Sequence, residues 1–244
     1  MSTVFVHGVP ETPVIWDSLI DALGIDDAIR LRLPGFGNSL PAGFEPTMDR
    51  YAQWLADELG ELDGPIDLVS HDWGALLSVR VNAQHPKLVR SWVTDMGNLD
   101  DDFEWHDTAR TWQTPGEGEA FMEGILGISD EERAELLTGL GIEASIASKM
   151  SPEVDSTMGA AILSLYRSAV DIGSEWGPGI DDIVAPTLVI EAALDPFRSP
   201  GATTAFVGRT RAETVELAEA GHWWMTTDAA AAASAIQEFW TRVA

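Results

Sequence analysis

Ile66-Asp67-Leu68-Val69-Ser70-His71-Asp72-Trp73-Gly74-Ala75-Leu76-Leu77 is the stretch that decides how this chain folds. Its first four residues form a short apolar run of strand type, and from Ala75 to Val81 the pattern is helical. Strand, sharp turn and helix therefore follow within a few residues. Small residues stand two before and two after the central acid, Ser70 and Gly74 around Asp72. A side chain raised alone above a sheet at such a turn needs strained backbone. Bulky neighbours at those two offsets would collide with the adjacent strand and helix. A carboxylate held there needs no deprotonation to act: it can attack an electrophilic sp3 carbon and form an ester with the protein. The competing reading is a surface turn in which Asp72 caps an ordinary helix. The rest of the chain has to choose between them.

Composition narrows the choice of class. The chain has 244 residues with 45% hydrophobic content, enough for one sizeable core carrying an inserted subdomain. No internal repeat is visible. No apolar run is long enough to span a membrane and no signal-like segment opens the chain. Cysteine is absent, which excludes disulfides and thiolate metal sites and suits a reducing cytoplasm. The net charge of −26 repels nucleic acid and anionic membranes and disfavours anionic substrates. The expected partners are thus a small apolar organic molecule and water, with the chain a monomer or homodimer. Neither Asp100-Asp101-Asp102 nor Asp181-Asp182 has the spacing of a calcium loop, so both read as solvated loop faces and no metal is expected.

Along the chain, strand signals recur at 3–6, 28–33, 66–69, 89–94, 187–190 and 214–217. Helical periods lie between them, among them one that Thr47 can cap, carrying Tyr51, Leu55 and Leu59. From about 97 to 179 strand signals vanish and the sequence becomes acidic, Trp-rich and helical. Repeated β-α alternation predicts an α/β fold with a parallel sheet covered on both faces. Residues 1–97 and 180–244 form its core, and 98–179 form a helical cap over the C-terminal ends of the strands, where ligands of open α/β sheets bind. Asp195 follows the strand signal at 187–190, and His222 follows the one at 214–217. Asp72, Asp195 and His222 thus each lie just beyond a strand, in the order nucleophile, acid, base. Asp95, after the strand at 89–94, is an alternative acid.

With these pieces the chain resembles the epoxide hydrolase and haloalkane dehalogenase branch of the α/β-hydrolase fold. The matching segments are His7-Gly8-Val9-Pro10, Pro34-Gly35-Phe36-Gly37-Asn38-Ser39, His71-Asp72-Trp73-Gly74, Leu194-Asp195-Pro196-Phe197 and Gly221-His222-Trp223. The resemblance implies Asp72 as covalent nucleophile, His222 as base, an acid behind it, no cofactor, and an oxyanion hole built from the backbone N–H groups of Val9 and Trp73. Relatives usually carry two strands before the one matching 3–6, so a wholly parallel sheet of six strands is expected. His7 is expected to be a structural residue of the oxyanion loop, His71 to point away from the site, and His85 to end a helix in solvent.

The leaving group is the open question. Epoxide opening leaves an alkoxide that needs a proton donor opposite the nucleophile. Leu163-Ser164-Leu165-Tyr166-Arg167 resembles the cap segment that supplies a tyrosine in epoxide hydrolases, which nominates Tyr166. The usual second tyrosine is missing, and Trp105, His106 and Trp112 are the candidate replacements. Alternatively Tyr166 is simply a cap-helix residue packing on the core. Halide release needs N–H donors and no proton, and Trp73, with Trp105 or Trp112, fits that role. Trp73, Trp105, His106, Trp112 and Trp223 are the expected substrate-binding residues. An epoxide hydrolase acting on an apolar epoxide is the first reading and a haloalkane or haloacid dehalogenase the second. A lyase or ligand sensor on the same fold is the third.

Overall fold

The computed structural model describes residues 2–95, 99–198 and 201–244. The strands are β1 (Ser2–Val6), β2 (Ile29–Leu31), β3 (Ile66–Ser70), β4 (Ser91–Thr94), β5 (Thr187–Ala192) and β6 (Glu213–Leu217). They form one sheet in the order β2-β1-β3-β4-β5-β6, and every neighbouring pair is parallel. The helices flanking this sheet are α1 (Asp17–Leu23), α2 (Met48–Gly60) and α3 (Trp73–Gln84). Between β4 and β5 come α4 (Asp107–Gln113), α5 (Glu117–Leu126), α6 (Asp130–Leu140), α7 (Ala144–Met150), α8 (Ser156–Ser168) and α9 (Ile172–Trp176). Then follow α10 (Ala202–Thr210), α11 (Trp224–Thr227) and α12 (Ala229–Val243). None of these helices is long and apolar enough to cross a membrane.

Side-chain alternation along the strands divides the interior in two. Val4, Val6, Leu68, Trp92 and Val189 point to one face, where they pack with α2 and α3. Phe5, Val69, Val93, Leu188 and Ile190 point to the other, against α1 and α12. Burial on both faces is what a parallel sheet requires, and it explains the near-continuous apolar runs of its strands. The helices between β4 and β5 straddle this division. Ala109, Trp112, Met122, Ile162 and Tyr166 join the first cluster, while Leu137, Ile146, Ala147 and Met150 join the second. The inserted block therefore shares its apolar contacts with the sheet domain across both faces.

Local chemistry fixes the insertion's elements. Ser129 and Glu132 form a reciprocal capping box at α6, and the Asp155 carboxylate accepts from Met158 N at 2.8 Å to start α8. Thr47 caps α2, as its position in the sequence suggested. Residues 97 and 98, where the sequence puts the core-to-cap boundary, lie outside the described residues.

Candidate active site

β3 ends at Ser70 and α3 begins at Trp73, and Asp72 between them has φ 49° and ψ −121°. A non-glycine residue in that region is strained and persists only where its surroundings over-determine it. Here they do. His71 N still donates to Val6 O at 3.1 Å, extending the β1–β3 pairing, and Asp72 N donates to the Asp95 carboxylate at 3.2 Å. Gly74 lies against the carbonyls of Val6 and His7 with no room for a Cβ. Ser70 Oγ accepts from Trp92 Nε1 at 2.8 Å within the sheet. Gly8, too, has no room for a side chain, because Asp72 occupies that space.

The Asp72 carboxylate is held asymmetrically. Oδ1 accepts from Val9 N at 2.8 Å, and the Trp73 backbone N–H also bonds to this carboxylate. Oδ2 faces His222 Nε2 at 3.9 Å, too far for a direct hydrogen bond. On its other side the His222 ring gives Nδ1 to Asp195 Oδ2 at 2.9 Å. Asp195 is itself fixed by accepting from Phe197 N at 2.8 Å. Burial alone would raise the Asp195 carboxyl, but its bond to His222 and the charge of that ring outweigh burial and lower it. Burial raises the Asp72 carboxyl, and the His222 charge opposes the rise.

Asp95, the alternative acid, lies elsewhere in the network. It pairs with His71 Nδ1 and accepts from Trp224 Nε1 at 2.6 Å. His71 does not line the cavity, yet it does not turn away from the site as expected. Its ring packs at 4.5 Å from that of His222, and its Nε2 meets Glu11 Oε1 at 2.9 Å. Burial disfavours a charged imidazole, but Asp95 and Glu11 on opposite edges outweigh it and hold His71 protonated. The reason is topological: β3 delivers His71 beside the His222 ring, and the loops after β1 and β4 each bring a carboxylate to one of its nitrogens.

Glu11 was not anticipated as a site residue. It is fully buried, accepts from Gly8 N at 2.8 Å and from Trp223 Nε1 at 2.6 Å. Burial pushes its carboxyl up, but the charge and hydrogen bond of His71 win and hold it at about 2. Its one sequence signal is a lone acid in the otherwise uncharged stretch from Ser2 to Trp16. Glu11, His71 and His222 also place potential ligand atoms within 4.8 Å of one another. The protons that His71 presents to two carboxylates leave that trio no lone pair for a metal from its central ring. His7 is a neutral scaffold residue: Nδ1 donates to Gly8 O at 2.8 Å, Nε2 accepts from Leu33 N at 3.2 Å, and burial lowers it to about 4. His85 caps the C-terminal end of α3 and is exposed.

Two cavities reach Asp72. One, of about 220 Å³, is lined by Val9, Asp72, His222, Tyr166, Trp112 and Trp223 at its inner end and by apolar residues of α5 and α6 beyond. The other, of about 270 Å³, lies beside β4 and is lined by Asp95, Asp100, Asp102, Glu104, Phe103, Trp105 and Phe206, among others. Asp72, His106 and Phe197 border both. Asp100 and Asp102 thus rim a chamber, where the sequence suggested only a solvated face.

The five expected substrate-binding residues are distributed unequally. Trp112 lines the first cavity, and its indole N–H has no partner among the described residues. Trp223 lines it too, but its N–H is committed to Glu11. His106 caps α4 by accepting from Ala109 N through Nδ1 at 3.3 Å, which leaves the proton on Nε2; burial and the nearby His222 charge keep it neutral. Trp105 lines the second cavity instead and donates to Ala169 O at 2.8 Å. Trp73 lines neither. Its ring is fully buried, stacked on Trp105 at 5.6 Å and edge-on to Tyr166 at 5.3 Å. The aromatic rings of the insertion cover it, so its side chain shapes the wall from behind. Tyr166 is packed among Trp73, Trp105 and Trp112 with its ring against all three. Burial raises its phenol well above the usual value and the Asp72 charge adds to that, so it keeps its proton.

Residues 3–235 match the model of the alpha/beta hydrolase family. The chain belongs to that family. A curated relative, the (E)-2-((N-methylformamido)methylene)succinate hydrolase of Acinetobacter baylyi, is 24% identical over 196 residues, covering 79% of this chain and 72% of that one. Among solved structures, a laboratory-evolved variant of potato epoxide hydrolase superposes with a TM-score of 0.80 at 17% identity, over 99% of this chain and 92% of that one. A loop variant of a haloalkane dehalogenase from Bradyrhizobium elkanii gives a TM-score of 0.74 at 21% identity, over 100% and 91%. At these identities the structural likeness speaks for the fold, and the hydrolase assignment rests on the family match.

Proposed function

We propose that this hydrolase opens an uncharged, apolar epoxide through a covalent ester on Asp72. The observation that carries the reading is the asymmetric carboxylate. Val9 N holds Oδ1 at 2.8 Å, while Oδ2 is left facing the cavity and His222. Oδ2 forms a bond to an epoxide carbon as the carbon–oxygen bond of the ring breaks. The alkoxide takes the phenolic proton of Tyr166. His222 then removes a proton from a water standing between Nε2 and the ester, and the resulting hydroxide adds to Cγ of Asp72. The oxyanion forms on Oδ1, already held by Val9 N at 2.8 Å, with the Trp73 N–H at the same carboxylate as the second donor. Collapse breaks the bond from Cγ to Oδ2 and expels the diol, whose alkoxide takes its proton from His222; Asp72, left as the carboxylic acid, releases its proton to solvent, and Tyr166 recovers its own from solvent. Asp195 orients the His222 ring and stabilises its charged form.

Charge supports an uncharged substrate. The cation lining the first cavity, Arg133, gives its guanidinium to Ile125 O, Ile128 O and Ser151 O and to Asp130 at 2.8 Å. A substrate carboxylate would find no free partner there, which counts against haloacids and against a dicarboxylate like that named for the curated relative. Haloalkane hydrolysis is the second reading, favoured by the buried, unpartnered indole N–H of Trp112, a donor suited to a halide.

The test is His222→Ala, in which the ester forms and does not hydrolyse. Intact-mass measurement after exposure to an epoxide panel should show the full mass of the epoxide added at Asp72, and none in His222→Ala/Asp72→Asn. An adduct from haloalkanes alone, with halide released by the wild type, would reverse the order of the two readings. No adduct from either panel would discard the Asp72 ester and turn attention to a lyase or ligand sensor.

A further inference from the structure

The first cavity does not close above Asp72. It continues outward between α5 and α6, and its outer lining includes Phe121, Ile125, Leu136 and Leu140. Three of these are among the few large apolar side chains that the described residues expose: Phe121 is 38% accessible, Leu136 50% and Leu140 61%. They are not scattered, as single exposed leucines usually are. They converge on one opening, and a contiguous apolar patch of that kind marks a binding surface. Between Leu140 and His222 the lining offers no free charge, since Arg133 is saturated by carbonyls and Asp130. A compact substrate would need only the inner end, beside Asp72, Tyr166 and Trp112. It would leave the outer apolar wall with nothing to do.

We infer that the substrate carries an extended apolar chain that runs from Asp72 along α5 and α6 and ends between Phe121, Leu136 and Leu140. This rests on the reading of Asp72 as the reacting end, and it adds the substrate class: a long-chain terminal epoxide. Leu136 and Leu140 are then residues that set chain-length preference. They lie far along the channel and touch no reacting atom.

Two series on the full chain test this separately from the chemistry. Primary alkanamides of four to twelve carbons report binding alone, through tryptophan fluorescence; 1,2-epoxyalkanes of the same lengths report turnover. In the wild type the dissociation constant should tighten by about fourfold per methylene until the chain reaches solvent at the mouth. Leu140→Asp and Leu136→Asp, both at accessible positions, should remove the gain contributed by the outer methylenes and lower the long-to-short ratio at least tenfold. Val184→Asp, at a position 67% exposed and away from the cavity, should leave the whole series unchanged. Affinity independent of chain length, or the same ratio in Leu140→Asp as in the wild type, would overturn the inference. So would a dimer that Leu140→Asp dissociates, because the patch would then belong to a second copy of the chain. If amides show the expected ratio while no epoxide is turned over, the proposed reaction fails and the channel stands. If epoxides are hydrolysed without regard to length, the reverse holds.

Discussion

The cavity under α5 and α6 and the one beside β4 share Asp72, His106 and Phe197, yet they offer a bound molecule opposite surroundings. The first brings together His222, Tyr166 and the Val9 loop, and its far wall is largely apolar. The second has neither His222 nor Tyr166 on its wall, and it carries Asp95, Asp100, Asp102 and Glu104. Asp72 is therefore reached from two sides and meets His222 and Tyr166 from one. On the proposed reaction, the difference means that the inserted helices, rather than the sheet, choose the substrate side. They line the first cavity with Tyr166 of α8 and Trp112 of α4, and neither residue lines the acidic chamber.

The same contrast separates the two acids. Asp195 stands behind His222, on the equipped side; Asp95 borders the acidic chamber and holds His71. Asp195→Asn should lower hydrolysis of the Asp72 ester by about 10³- to 10⁴-fold, since the ring loses the partner that stabilises its charged form. Single-turnover kinetics should show ester accumulating. Asp95→Asn removes one partner of a buried charged ring and should act on stability, by about 3 kcal/mol, measured by urea unfolding, while the folded fraction still turns over. If Asp95→Asn stalls the ester and Asp195→Asn does not, the assignment of the two acids is exchanged.

Tyr166→Phe gives the next largest effect. It keeps the ring contacts with Trp73, Trp105 and Trp112 and removes one oxygen. Epoxide opening should slow by about 100-fold, the usual worth of a positioned proton donor, with alkyl-ester formation from a haloalkane altered by less than about threefold. While Asp72 is ionised its charge helps keep the phenol protonated. In the proposed reaction, ester formation transfers that charge to the substrate oxygen, which is when the proton is wanted. An equal loss on both substrates would make Tyr166 a packing residue and weaken the epoxide reading.

How much of this was legible in the sequence depends on the range of the contacts. The six strands and the elbow at Asp72 follow from local pattern, and Asp195 and His222 follow from their position after strands. Glu11 and His71 did not announce their roles, because the Trp223–Glu11 bond joins residues 212 apart and the three-part network exists only when three loops meet. Trp73 shows the opposite failure. Its place beside Asp72 suggested a cavity wall, yet Trp105, stacked on it, and Tyr166, edge-on to it, cover it from the insertion. Which face of a long helical insertion meets the sheet is a tertiary choice, and amphipathic period alone does not fix it. The acidic run at 100–102 is legible as exposed, but the cavity it rims is made by segments far apart in sequence.

The smallest expected effect bears most directly on the contrast between the chambers. Asp102→Asn combined with Glu104→Gln removes two carboxylates from the rim of the acidic cavity, at exposed positions. If the substrate is an uncharged molecule in the apolar channel, kcat/KM should change by less than about twofold. Coulomb interactions of exposed groups are screened over about 10 Å at 0.1 M salt, and a neutral substrate offers them no charge. An epoxide bearing an ammonium group separates the cases further. Held in the apolar channel, it should bind poorly in both proteins and be nearly indifferent to the double substitution. Held in the acidic chamber, it should be preferred by the wild type and lose several-fold with the carboxylates, an outcome that would place the substrate on the side of β4 and require a proton donor other than Tyr166.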